Sequence, residues 1–83
     1  MAIDDTIKNL VPETSVRIIF EKDVDVQRFD IIAGQSYYDI ICKGCVITET
    51  LFMMDDGKKL LFMNGTTGNF FWLPKEGIII EKL

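Results

Sequence analysis

The chain has no histidine at all. That excludes Ser-His-Asp and Cys-His nucleophilic catalysis and removes the commonest general base. It has only two cysteines and two prolines, so neither a disulfide framework nor a proline-rich recognition segment is available. Basic residues are also scarce, nine against thirteen acidic ones, for a net charge of -4, and only Lys58 and Lys59 are adjacent. A nucleic-acid backbone or an anionic membrane needs clustered Lys and Arg, so neither is expected as a partner. No stretch approaches the roughly 20 apolar residues of a membrane span, and no basic start leads into an apolar run. A cytoplasmic location with reduced thiols is therefore expected. Met1 reads as a natural start, which makes a complete small protein the expectation.

What the chain does have is apolar strand-forming sequence. Eighty-three residues make a single domain, residues 1–83, in which only about 60% of the unfolded surface can be buried. Hydrophobic residues nevertheless make up 48% of it. In the first segment, Ile3, Ile7, Leu10 and Val11 recur at i, i+4, i+7 and i+8. This spacing predicts a short amphipathic helix within residues 1–12, with Asp4 and Asp5 in its first turn and Pro12 as its stop. Residues 15–83 then read as strands: SVRIIFE, the short FDIIA, YYDIIC after a turn at Gly34–Ser36, and VITETLFMM, KKLLFM, FFWL and IIIEKL. Lys22 to Arg28 is polar and reads as a loop or the open end of a hairpin. Lys43-Gly44 reads as a two-residue hairpin turn, and Asp55-Asp56-Gly57 and Asn64–Asn69 as longer ones. Mainly β architecture follows, a small antiparallel barrel of five or six strands with a short N-terminal α-helix.

The C-terminal strands break the rule that alternate residues of a half-exposed strand are polar. Leu60–Met63, Phe70–Leu73 and Ile78–Ile80 are apolar on both faces. One face lines the core; the other needs a further cover, and a surplus of this kind marks an interaction surface. Leu61, Met63, Phe71 and Trp72 are the candidate contact residues. Tyr37 and Tyr38 join them as aromatic walls of a possible peptide groove with Trp72. The occupant is a protein, either a different chain or a second copy.

Cys42-Lys43-Gly44-Cys45 is the one pattern with metal potential. A structural zinc site takes four ligands, and one chain supplies two thiols and no imidazole. No metal site is expected within one chain, and Cys42 and Cys45 qualify only if a second copy adds its own pair. No cofactor is expected. The β-like flanks also deny the thiols the helix N-terminus on which redox pairs rely. Gly65–Gly68 has neither the lysine nor the following helix of a phosphate loop, and paired carboxylates at Asp4-Asp5 and Asp55-Asp56 fit a helix start and a turn. No catalytic residue is assigned.

The element order resembles that of the SH3-like barrels. The residues that carry the resemblance are Gly34-Gln35-Ser36-Tyr37-Tyr38, the Asp55-Asp56-Gly57 hairpin, and Phe71-Trp72-Leu73-Pro74 followed by Ile78-Ile79-Ile80, similar to the short turn before that fold's last strand. The chain departs from peptide-binding SH3 domains, lacking their acidic-aromatic motif and paired tryptophans and having Gly77 where a groove tyrosine is expected. What the resemblance implies is the barrel, not proline-peptide binding. In size and acidity the chain also looks like the accessory proteins of phages and mobile elements. The expectation is a non-enzymatic protein-binding module, an accessory or inhibitor protein of that kind. The alternatives are a homodimeric structural protein with an inter-subunit metal site at the cysteine pair, and a small-ligand binder at the barrel mouth.

Overall fold

A computed structural model of the chain describes residues 10–83. Within these described residues seven strands form one antiparallel sheet: β1 (Thr14–Phe20), β2 (Val24–Asp30), β3 (Gln35–Ile41), β4 (Val46–Asp55), β5 (Lys59–Asn64), β6 (Phe70–Pro74) and β7 (Ile78–Lys82). Their order across the sheet is β3-β2-β6-β5-β4-β1-β7. The mainly β architecture is thus present, with more strands than the five or six expected. No helix occurs among the described residues, and the helix expected within residues 1–12 falls outside them except for its last positions. Leu10 is buried in the core, and the chain turns at Pro12-Glu13 into β1, Glu13 N donating to Phe52 O at 2.7 Å.

Alternation accounts for the core. Val16, Ile18 and Phe20 of β1, Val24 and Val26 of β2, Phe52 of β4, Leu60 and Phe62 of β5, Phe71 and Leu73 of β6, and Ile78 and Ile80 of β7 all face inward and are buried. Residues directly opposed on antiparallel neighbours share a face, so the register ties these side chains into one surface: Leu60 opposite Leu73, Phe62 opposite Phe71 and Ile18 opposite Ile80. Phe62 stacks on Phe71 with ring centroids 5.5 Å apart and meets Phe52 edge-on at 6.0 Å. The one buried polar residue among the described residues, Thr50, donates its hydroxyl to Met63 O at 3.0 Å, which satisfies it.

A single sheet can bury one whole face only by rolling up, and two short connections show that it does. In a flat sheet, β1 and β2 would lie four strand spacings apart, about 19 Å at the usual ~4.8 Å interval. Three residues, Glu21–Asp23, join them, and Cys42–Cys45 make the equally distant step from β3 to β4. Each link reaches at most about 14 to 18 Å fully extended, so the β3 side curls over toward β1. The links also touch, Lys43 N donating to Asp23 Oδ1 at 2.9 Å and Gly44 N to Phe20 O at 2.9 Å. The two shorter extents of the molecule, 25 and 23 Å, are nearly equal, as a rolled sheet requires. The hydrogen-bonded ladder itself stays open between β3 and β7.

Three expectations are corrected. Of the two readings of Lys22–Arg28, the loop is wrong beyond Asp23 and the hairpin holds: Val24 and Val26 alternate with Asp25 and Gln27, and from Val24 on the stretch pairs with β3 as β2. The turn falls at Ile31–Gly34, not at Gly34–Ser36. Asp30 causes it, its Oδ1 accepting from Ile32 N at 2.9 Å and Ala33 N at 3.1 Å, while Gly34, at φ +68°, donates its N–H to Asp30 O. Lys43-Gly44 is a turn with Gly44 at φ +90°, but it is no hairpin, because β3 pairs with β2 and β4 with β1 and β5.

Asp55 and Asp56 cap the β4–β5 turn. Asp55 Oδ1 accepts from Gly57 N at 2.8 Å, and Asp56 Oδ1 from Lys58 N at 2.9 Å and Lys59 N at 2.6 Å. Those backbone hydrogen bonds hold both carboxyls below the ordinary aspartate value, with Lys75 assisting at Asp55. A depressed folded pKa contributes stability above the unfolded value and loses it as pH falls through the folded one. Amide exchange at Lys58 and Lys59, corrected for intrinsic rates, is therefore expected to stay slow down to the ordinary aspartate range and to accelerate below it. An unchanged protection factor through that window contradicts the cap.

Candidate functional site

The outer face of the rolled sheet is where the apolar surplus emerges. Register places Leu51, Met63, Phe70 and Phe29 side by side across β4, β5, β6 and β2. A second row runs from Met54 through Leu61, Trp72 and Gln27 to Tyr38 on β3. Leu51, Leu61, Met63, Phe70 and Trp72 are half-buried, while Phe29, Met54 and Tyr38 are exposed, Tyr38 by 75%. Two adjacent apolar rows over four to five strands form one contiguous surface, with a single polar interruption at Gln27.

A bulge shapes one side of this surface. The β4–β5 register shifts between Phe52 and Met54, which turns Met54 onto the outer face, opposite Leu61. A second irregularity in β4, where it pairs with β1, leaves Glu49 at φ +54°. The β5–β6 loop clasps it. Gly65 N donates to Glu49 O at 2.7 Å and Thr66 Oγ1 to Glu49 Oε2 at 3.0 Å. The amides of Thr66 and Thr67 are committed to Asn64 Oδ1, so this glycine-containing loop is a braced hairpin, as expected, rather than a cradle for phosphate.

Of the six residues expected to make contacts, Leu61, Met63 and Trp72 lie together on the outer face. Phe71 does not. It is only 4% exposed and stacked in the core, because it is the neighbour of Trp72 on one strand and adjacent side chains take opposite faces. For the same reason Tyr37 and Tyr38 cannot wall one groove. Tyr38 extends the Trp72 row, whereas Tyr37 lies opposite Arg28 on the other side of β3. Reading the sequence alone missed Phe70, Leu51, Met54 and Phe29. The two-faced FFWL and LLFM runs signalled such a row, but parity was needed to tell its members from the core.

A shallow cleft lies beside this surface, lined by Asp25, Gln27, Tyr38, Asp39, Ile40 and Lys59. β2 pairs with β6 only over Gln27–Phe29, so its first residues, Val24 to Val26, pair with β3 alone and the cleft lies along them. Its charged groups are the Asp25 and Asp39 carboxylates and the Lys59 ammonium, with the Gln27 amide and the Tyr38 hydroxyl beside them. Among the described residues no three Cys, Asp or Glu side chains converge as a metal site. Cys42 and Cys45 are free thiols, both exposed. Among the described residues no helix is long and apolar enough to cross a membrane.

No protein-family model, curated protein or solved structure matches the chain.

Proposed function

We propose that this protein is a non-enzymatic protein-binding module that works through the outer face of its sheet, with Leu61, Met63, Phe70 and Trp72 at the centre of the contact. The observation that carries this reading is the pair of outer rows, apolar at every position but Gln27. A folded chain gains by hiding such a surface, at roughly 25 cal/mol per Å² of apolar area removed from water. Met63 at its centre and Met54 at its margin supply side chains that adapt to a partner's shape. The partner that fits is another protein with an aliphatic or aromatic patch and a basic rim, given the net charge of -4.

The strand order supports an SH3-like barrel as the scaffold. The meander β4-β5-β6 continues through β1, and the last strand pairs back on the first. Small size and acidity fit a phage-type accessory or inhibitor protein, whose task is to occupy a surface of a host protein.

The test is a double variant, Leu61→Asp with Trp72→Asp, compared with the wild type in binding a partner recovered at stoichiometric yield. Complex formation is expected to fall at least a hundredfold, while thermal unfolding of the isolated chain stays cooperative. A partner held equally by both proteins, or none held by either, contradicts the reading.

A further inference from the structure

The cysteine turn carries a second site. Cys45 N donates to Cys42 O at 3.2 Å, closing a four-residue β-turn whose third residue is Gly44 at φ +90°, the conformation that a type II turn demands there. Such a turn brings its first and fourth Cα atoms within about 7 Å, so the two thiols can converge on one ion. The turn is also held from outside. Lys43 N is bound to Asp23 Oδ1, Gly44 N to Phe20 O, and Phe20 N donates to Cys45 O at 3.0 Å. All three amides from Lys43 to Cys45 are thus committed to oxygen, and both sulfurs are exposed and in no disulfide. The protein spends neither thiol on its own structure.

We infer that Cys42 and Cys45 are one half of a tetrathiolate zinc site that the same pair of a second copy completes. Coordination number sets the stoichiometry. Zinc in a structural site takes four ligands, and among the described residues no third Cys, Asp or Glu joins the pair. The braced turn is a bidentate half-site presented at the surface. Zinc with four thiolates carries -2, and Lys43 and Asp23 of each copy, opposite in charge, leave that balance unchanged. The flanks favour a second copy. Ile40 and Val46, two residues before and one after the cysteines, are 58% and 52% exposed, and Ile79 is 40% exposed in the same outer row as Val46 through Ile19. A second copy held at the metal covers apolar surface that water now meets. Four thiol protons leave to the buffer as four Zn–S bonds form, so assembly weakens as pH falls. The inference does not depend on the Leu61 and Trp72 surface, because Cys42, Cys45, Ile40, Val46 and Ile79 are in neither of its two rows.

The experiment is a zinc titration of the reduced chain, read by retained metal after dialysis and by sedimentation velocity, alongside Cys42→Ser and Cys45→Ser. The wild type is expected to saturate at about one zinc per two chains, as four-ligand coordination by two thiols per chain requires. Its mass doubles with zinc and returns when a chelator is added. Each serine variant loses both effects while keeping the wild-type circular dichroism spectrum, because both side chains are exposed. One zinc per chain, zinc uptake without a change in mass, doubling that survives either serine, or no retained zinc overturns the inference.

Discussion

Replacing Phe71 with Asp is expected to abolish folding rather than binding. The ring is 4% exposed, stacked on Phe62 at 5.5 Å and opposite Arg28 and Phe62 in the two flanking ladders. Truncating such a phenylalanine to alanine alone costs about 3 to 5 kcal/mol. A carboxylate at the same place must also be taken out of water into the core, and Arg28 opposite it, already 3.8 Å from Asp39, offsets only part of that cost. At about 0.05 to 0.15 kcal/mol per residue, a chain this short has little stability beyond that loss. Urea titration followed by circular dichroism is expected to show no cooperative transition for the variant. A transition near the wild-type midpoint places Phe71 outside the core and reverses the assignment of faces on β6.

A single methyl at Gly65 is expected to have the next largest effect. A Cβ there sits 2.6 Å from Glu49 O, the atom that accepts the Gly65 N–H, so the added carbon and the hydrogen bond cannot both be kept. The obstacle is backbone, and it belongs to a residue already held at φ +54° by the β4 irregularity. Overpacking of this sort costs about 1 to 3 kcal/mol. Gly65→Ala is expected to lower the urea midpoint accordingly and to raise amide exchange in the Asn64–Asn69 loop. A midpoint equal to that of the wild type would show that the loop does not clasp Glu49.

Where the chain alternates, the strands were legible in the sequence. Val16, Ile18 and Phe20 against Arg17, and the Asp55-Asp56-Gly57 and Asn64–Asn69 turns, read directly as the elements they form. Legibility failed where a local hydrogen bond outweighed composition. Ile31 and Ile32 belong by propensity to a strand, yet Asp30 bends the backbone around its own carboxylate and leaves them 47% and 91% exposed. It failed again where apolar residues fill both faces. In FFWL nothing local distinguishes Phe71 from Trp72, and only pairing with Leu61 and Phe62 on β5 assigns one to the surface and the other to the core. Strand order was beyond local reading too. That β2 pairs with β6, and that Cys42–Cys45 cross from one sheet edge to β4, follow from how a rolled sheet closes its apolar face. The surplus of apolar residues was visible from the start; the two rows that it forms were not.

The central claim is that these rows form an open binding surface. Its most direct test is titration of an environment-sensitive hydrophobic dye into the wild type, at a concentration where sedimentation gives a monomer. Saturable emission enhancement is expected, and its loss in the Leu61→Asp, Trp72→Asp double variant. No enhancement in the wild type, or the same enhancement in both proteins, contradicts the account.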